Sequence, residues 1–188
     1  VIEQDQAGVV TQYQYDALGR LVAVIDAHNQ QTSYAYDELG NRISQTDANG
    51  HITQFAYDTM GRRVNRTLPL GMAETSTYDL AGRLSSRTDF NGKTTTFAYD
   101  LANRLTQKTP DLSLMQPTVK FSYSITGQRM QMIDASGTTT YTYDMRDRLL
   151  NKATPAGTLS YTYDAAGNLK SMRSSNAGGI SVDYGYEV

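Results

Sequence analysis

Carboxylates recur in this sequence at a regular interval, each directly after a tyrosine. Calcium needs six to eight oxygen ligands that converge on one point. The aspartates come one at a time, and the glycine-rich nonapeptide of calcium-binding β-rolls is absent, so we expect them to cap turns. They are Asp16, Asp37, Asp58, Asp79, Asp100, Asp144 and Asp164.

Histidine and arginine supply the remaining candidates for chemistry. His28 and His51 are the only histidines, and there is no cysteine. The two histidines lie at non-equivalent positions, so exposed turn residues are a better interpretation than metal ligands. Arg62, Arg63 and Arg66 form the one dense basic cluster, which favours a solvated strand face over a phosphate site. With no nucleophile-elbow motif or phosphate loop either, the sequence predicts no catalytic residue, no metal site and no cofactor.

The aromatic residues follow the same interval as the carboxylates. Seventeen of the 18 tyrosines and phenylalanines fall in the repeated aromatic-x-Tyr units, counting Tyr78, whose unit has Ser76 in the first position, and only Phe90 lies outside them. Stacked rings on a sheet can bind sugars or bases. We favour packing of the rings on one another, because no basic residues are interleaved with them. The second tyrosines of the units are Tyr15, Tyr36, Tyr57, Tyr78, Tyr99, Tyr123, Tyr143, Tyr163 and Tyr186.

The spacing of these tyrosines defines an internal repeat of 20 to 24 residues. The residue after the tyrosine is Asp except at Ser124 and Glu187. Four residues after the tyrosine stands Gly, or else Asn103 or Asp147, the types that best tolerate positive φ. The pattern predicts a type I turn closed by a left-handed residue with a G1 bulge. The glycines at this position are Gly19, Gly40, Gly61, Gly82, Gly127 and Gly167.

A second turn divides each repeat into two strands. Asp and Gly or Asn mark it at 26–29, 47–50, 89–92 and 134–137, and Pro69, Pro110 and Pro155 mark it elsewhere. The runs between turns alternate with period two and are rich in β-branched residues. The return strand begins with Arg or Asn and then an aliphatic residue. In three repeats the aliphatic residue (Ile43, Val64, Met130) comes one position later, which indicates either a bulge or a different register.

These patterns predict an all-β fold of tandem hairpins with 16 to 18 antiparallel strands. One sheet face would carry the rings and need cover, while the other would carry small, weakly polar residues such as Ala35 and Thr142. An open sheet of this size must curl, split or close, so we expect a long curved or spiralling sheet.

The net charge and the lack of long apolar runs limit the classes of partner that we expect. The net charge is −2 from 17 basic and 19 acidic residues, which favours neither nucleic acid nor an anionic membrane. No apolar run has the length of a membrane span. The chain starts in mid-pattern without Met, so we expect residues 1–188, with about eight repeats, to be an internal fragment of a longer protein.

The segments Tyr15–Leu21 and Tyr163–Leu169 read YDALGRL and YDAAGNL. They resemble the YD repeat of the Rhs family, whose members include bacterial Rhs polymorphic toxins, insecticidal toxin complex shell components and, more distantly, teneurins. The resemblance implies a hollow β-sheet shell around a C-terminal toxin, released by type VI secretion or in toxin complexes. The family's Asp-Pro protease motif is absent, so no activity carries over.

The resemblance therefore implies a non-catalytic wall segment, secreted or delivered from a bacterial cell as part of a larger toxin. Its partners would be the rest of the shell and an enclosed toxin domain. The alternative is a binding or adhesion module that recognises carbohydrate or a cell-surface protein. Because the strand edges of an open sheet carry unpaired amides and carbonyls, we also expect self-association through them.

Overall fold

A computed structural model describes residues 1–4 and 6–186, so Glu187 of the last repeat lies outside the described residues. The chain divides into two compact units, residues 1–94 and 95–188. Both units are built of β-hairpins, and the described residues contain 18 strands and no α-helix. The prediction of an all-β fold with 16 to 18 antiparallel strands is therefore confirmed.

Every strand is three to seven residues long and pairs antiparallel with the strand before or after it in sequence. The strands of the first unit are β1 (Ile2–Gln4), β2 (Val10–Tyr15), β3 (Leu21–Ile25), β4 (Gln31–Tyr36), β5 (Arg42–Thr46), β6 (Ile52–Tyr57), β7 (Arg63–Thr67), β8 (Ala73–Tyr78) and β9 (Leu84–Thr88). Those of the second are β10 (Thr94–Tyr99), which begins at the boundary, β11 (Leu105–Thr109), β12 (Val119–Tyr123), β13 (Arg129–Asp134), β14 (Gly137–Tyr143), β15 (Leu149–Thr154), β16 (Gly157–Tyr163), β17 (Leu169–Ser174) and β18 (Ser181–Asp183).

The turn after each key tyrosine has one geometry throughout. In the first such turn, Gly19 N donates to Asp16 O (3.0 Å) and Asp16 N to Arg20 O (2.9 Å). These two bonds close a type I turn with a G1 bulge, as the sequence predicts. All eight residues at the fourth position have positive φ, from 59° at Asp147 to 97° at Gly167. The prediction of a left-handed backbone there is confirmed.

A second bulge lies one pair further along each of these hairpins. Tyr15 is paired with Leu21, but Gln14 is paired with Ala23, which leaves Val22 as the extra residue. The same shift occurs in all eight Tyr-Asp hairpins. Where the aliphatic residue comes one position later, it occupies this bulge, and an arginine stands opposite the tyrosine, as Arg42 does at Tyr36. The bulge is thus the correct alternative, and the register is constant.

The second turn explains the difference between 20- and 21-residue repeats. In the longer repeats it is another type I turn with a left-handed fourth residue, such as Asn29 with φ 60°. In the 20-residue repeats, two-residue loops join Asp134 to Gly137 and Thr154 to Gly157. The sequence analysis predicted that residues 134–137 form the same kind of turn as residues 47–50. This prediction is wrong, because Asp134 and Gly137 are paired strand residues that flank a two-residue loop. The extra residues of the 24-residue repeat form a 3-10 turn at Leu112–Leu114.

In the first unit the two sheet faces differ in charge, whereas in the second unit Lys120, Arg173 and Asp183 lie on the face opposite the rings. Pairing and alternation place all the charged strand residues of the first unit on the face that carries the rings. The opposite face of that unit carries hydroxyl, amide and apolar side chains, and the apolar ones include Ile25 and Ile52. Some of the hydroxyl groups bond to one another, as Thr77 Oγ1 does with Ser86 Oγ at 2.7 Å. The core is thin, since only Ala23, Phe55, Glu74, Thr139 and Ser171 are buried among the described residues.

Candidate functional site: a clamp between successive repeats

Each aspartate of the Tyr-Asp units is held inside its own turn. Asp16 Oδ1 accepts hydrogen bonds from Leu18 N and Arg20 N, both at 2.9 Å. Its Oδ2 accepts from Arg20 Nε at 2.6 Å. Asp58, Asp79, Asp100 and Asp144 bond in the same way to their own turns. The carboxylates are thus turn caps, as predicted.

The residue after the left-handed position supplies the side-chain partner of this aspartate. Where it is asparagine, its amide replaces the guanidinium, as Asn41 Nδ2 does at 2.9 Å from Asp37 Oδ2. These bonds stabilise the charged carboxylate. The pKa of Asp58 is lowered by the side-chain bond from Arg62 and then by the backbone N–H of the same residue. The pKa values of Asp16 and Asp144 are lowered by the same kinds of bond from Arg20 and Arg148.

The same arginine also reaches the next repeat. Arg20 Cζ lies 5.0 Å from the ring centre of Tyr36, and Arg148 Cζ lies 4.5 Å from that of Tyr163. Arg62 and Arg104 stack in the same way on Tyr78 and Tyr123. Two of these guanidiniums also donate from Nη1 to the next turn, Arg20 to Asp37 O (3.1 Å) and Arg104 to Ser124 O (2.9 Å).

The tyrosine completes the link with its hydroxyl. Tyr36 Oη donates to Leu21 O at 2.8 Å, so the ring lies by Arg20 and its tip bonds to the residue after that arginine. Equivalent bonds of 2.7 to 3.1 Å run from Tyr57, Tyr78, Tyr123, Tyr143, Tyr163 and Tyr186 to the preceding repeat. The turn residues and the next tyrosine thus form what we call the clamp, a set of contacts that joins successive repeats within each unit. An arginine of the turn takes part in it at Arg20, Arg62, Arg104 and Arg148.

Arginine side chains cover several of the aromatic rings. The sequence analysis predicted that no basic residues are interleaved with the rings, and this prediction is wrong. Arginines that stand opposite a tyrosine on the return strand also lie over rings: Arg42 Cζ is 4.7 Å from the centre of Phe55, and Arg129 Cζ is 4.8 Å from that of Phe121. A guanidinium covers apolar ring surface while it remains partly hydrated. The aromatic face therefore carries cover from its own chain.

The three arginines of the predicted basic cluster contact carboxylates or aromatic rings and are not only solvated. Arg62 belongs to a clamp, and Arg63 Nη2 lies 3.5 Å from Glu74 Oε1. Arg66 is paired across the sheet with both Phe55 and Glu74 and lies over Phe90.

Glu74 is 5% exposed and also accepts from Arg87, which stands opposite Ser76. Ser76 occupies the one first-aromatic position of the repeats that has no ring. Arg87 and Glu74 fill this place as an ion pair, because a buried carboxylate needs a cationic partner.

The two histidines lie in exposed second turns. His28 N donates to Asp26 Oδ1 at 2.8 Å, and His51 Nδ1 is 3.0 Å from Asp47 Oδ2. Within residues 1–4 and 6–186 no three His, Cys, Asp or Glu side chains are grouped as a metal site would need. In the same residues no helix is long and apolar enough to cross a membrane.

Tandem hairpins joined by a recurring clamp define a β-repeat protein. The family model described as RHS Repeat matches residues 1–31, 15–52, 36–73, 78–111 and 143–179. These segments cover most of the sequence, so the chain belongs to the RHS-repeat family. No match was found among curated proteins.

Solved structures share this fold. The crystal structure of TcdB2-TccC3-Cdc42 aligns with a TM-score of 0.60 and 19% identity over 93% of this chain. The crystal structures of TcdB2-TccC3 and TcdB2-TccC3-TEV align with TM-scores of 0.55 and 0.54, each at 18% identity. The chain spans about 12% of the length of each of these proteins.

Proposed function

We propose that this chain is a non-catalytic wall segment of a hollow RHS shell that encloses and shields a toxin domain. The observation that carries the proposal is the clamp. It uses the recurring carboxylates, guanidiniums and phenols to join one repeat to the next, so these groups act as structural links. The fold shared with TcdB2-TccC3 supports the same role. The partners would be further repeats of the parent protein and its cargo, with delivery from a bacterial cell.

The face opposite the rings suits the lining of such a compartment. In the first unit its strand residues are uncharged, and hydroxyl and amide side chains outnumber the apolar ones, such as Ile25 and Ile52. On a surface of this kind the apolar side chains are interspersed among polar ones, so it presents a cargo with no continuous apolar patch and, in the first unit, no charged strand residue. Containment would be steric, since a continuous hydrogen-bonded sheet leaves no opening for a protease.

The test uses the complete natural protein in which this array occurs. Its wild type is compared with Arg148→Ala, which breaks a clamp, and with Arg146→Ala as the matched control. Arg146 lies two residues away in the same turn and contributes a backbone N–H to Asp144, which the substitution keeps. Limited proteolysis should leave the enclosed region intact in the wild type and control and cleave it faster in Arg148→Ala. Equal cleavage in all three would contradict containment.

Electron cryomicroscopy of the same protein gives a second, independent readout. We expect a closed wall with density inside it that is absent when the C-terminal region is deleted. A solid or open array that binds glycans on a glycan array would instead support the adhesion alternative.

The isolated chain should show no hydrolase, nuclease or protease turnover with or without divalent metal, and turnover abolished by a point substitution in this chain would overturn the non-catalytic assignment.

A further inference from the structure

Four arginines lie on the ring-bearing face of the first unit, on strands β5, β7 and β9. The ring of Phe55, which is 8% exposed, has Arg42 Cζ 4.7 Å and Arg63 Cζ 6.0 Å from its centre. Arg66 stands opposite Phe55 in the sheet, and Arg87 lies two strands further along. We call the four arginines the basic patch: Arg42, Arg63, Arg66 and Arg87.

A single strand carboxylate, that of Glu74, accompanies these four guanidiniums. Glu74 is buried, with Arg63 Nη2 3.5 Å from its Oε1 and Arg87 Nε donating to its Oε2 at 2.9 Å. Arg66 has no ion pair within residues 1–4 and 6–186. Its Cζ lies 5.5 Å from the ring centre of Phe90, and its buried Nε has no hydrogen-bond partner there. Strands β5 to β9 therefore carry four positive charges and one negative charge, all on the ring-bearing face.

The turns at the two ends of these strands have the opposite charge. From residue 37 to residue 93 the turns carry six carboxylates and three cations, so their net charge is −3 and that of the strands between them is +3. Asp58 and Asp79 are paired with arginines of their own turns. The other turn carboxylates have no arginine in their turns: Asp37, Glu38, Asp47 and Asp89. The basic patch is therefore a positive centre between two acidic edges.

This charge pattern selects a short anionic ligand. Guanidinium groups bind carboxylates through paired N–H donors. An extended peptide segment of about six residues spans the four strand spacings from β5 to β9, about 19 Å, and stays between the acidic edges. A nucleic acid or an anionic membrane extends beyond the patch and meets the edge carboxylates. Bases also need free rings to stack on, and Arg42 and Arg63 cover the ring of Phe55.

We propose that the basic patch binds an acidic segment of a partner protein, extended across strands β5 to β9. Arg42 contacts rings and Arg66 contacts a ring, so a ligand carboxylate does not compete with Glu74 for either guanidinium. The side chains of Arg63 and Arg87 are 47% and 54% exposed, so each keeps N–H donors that Glu74 does not use. The patch lies on the face opposite the proposed lining, so this inference does not depend on containment.

Nuclear magnetic resonance of the whole 188-residue chain tests the proposal, with a hexaglutamate peptide capped at both ends as the probe. The Nε–H signals of arginine report on the patch directly. We expect hexaglutamate to shift those of Arg42 and Arg66, with a dissociation constant on the order of 1 mM at low salt. About 0.2 M salt should weaken this binding about fivefold, because the charges are partly exposed. Capped hexaglutamine, which has the same length and no charge, should cause no shift.

Two variants locate the contact. Arg42→Gln/Arg66→Gln removes two guanidiniums and leaves both ion pairs of Glu74, and we expect it to weaken binding by about tenfold or more. Arg129→Gln is the matched control, because Arg129 covers Phe121 in the second unit as Arg42 covers Phe55, and its binding should be unchanged. Circular dichroism melts check that both variants fold. If the double variant does not fold, the wild-type shifts decide: shifts confined to β5–β9 support the proposal, and shifts elsewhere contradict it.

The remaining outcomes separate an acidic peptide from other ligands. The proposal is overturned if hexaglutamate causes no shift, if hexaglutamine shifts the same signals, or if a folded double variant binds like the wild type. Equal loss of binding in Arg129→Gln also overturns it, since the attraction would then be general and not that of the patch. Tighter binding of hexathymidylate or of phosphatidylserine vesicles than of hexaglutamate would replace the peptide by a nucleic acid or a membrane.

Discussion

Gly61 allows a sharp test of the turn geometry, because its strain can be separated from crowding. Its φ is +74°, and a Cβ added there would meet only Asn41 Oδ1, at an ordinary contact distance of 3.6 Å. The cost of a side chain at this position therefore comes from the backbone conformation. For a β-branched residue forced into positive φ we expect a loss of about 1–3 kcal/mol in the free energy of unfolding of Gly61→Val.

The control substitutions come from the repeat itself. Asn103 occupies the equivalent position with φ 62°, so Gly61→Asn should cost no more than about 1 kcal/mol. The reciprocal change, Asn103→Gly, should be neutral or stabilising. Urea melts followed by circular dichroism and tyrosine fluorescence give the free energies, and the slope with denaturant checks that the unfolded state is unchanged. If Gly61→Val and Gly61→Asn unfold at the same denaturant concentration, the argument from backbone strain is refuted.

Three further predictions concern the clamp and the fold. Arg148→Ala should lower the melting temperature more than Arg146→Ala, and the reverse order would remove the clamp as the explanation. Tyr163→Phe loses the hydroxyl bond to Leu149 O and should cost about 1 kcal/mol, measured in a denaturant melt; a silent substitution would show that the ring alone suffices. Because hydrogen bonds lower the folded-state pKa of Asp58, its stabilisation is complete above the unfolded pKa of about 3.9 and is lost as the pH falls through the folded value. Asp58→Asn should therefore flatten the dependence of stability on pH below about 4, and an unchanged pH profile would contradict this.

The turns could be predicted from the sequence because their determinants are local. Gly, Asn and Asp are the residues that best tolerate the left-handed position, and the aspartate that caps the turn lies three residues before it. The tight second turns could also have been found, since a 20-residue spacing leaves one residue fewer than the type I turn of the 21-residue repeats.

The clamp could not be read from the sequence in the same way. Tyr36 and its acceptor Leu21 are 15 residues apart, and that contact depends on how successive hairpins lie side by side. A partial signal was present, because in seven of the eight turns Arg or Asn follows the left-handed residue, four positions after the aspartate; the exception is Gln128. From the sequence alone, this residue was predicted only to begin the return strand. The sequence did not predict that Arg42 and Arg129 cover rings. The residue opposite each tyrosine is set by the constant bulge, and the alternation of polar and apolar residues does not show that bulge.

The clamp also bears on how such chains can change in length during evolution. Every clamp joins a repeat only to its immediate neighbour, and its parts recur: a turn that ends in Arg, Asn or Gln on one side and a tyrosine on the other. Loss of residues 37–57, one complete period, would leave Tyr36 16 residues after Arg20 and Tyr78 16 residues after Arg62, so both of these clamps would keep their spacing. Duplication of the same block would create one further junction of the kind that Tyr57 makes with Arg42 O. Gene rearrangements in steps of a whole repeat therefore preserve every junction, whereas a shift by a few residues breaks at least one.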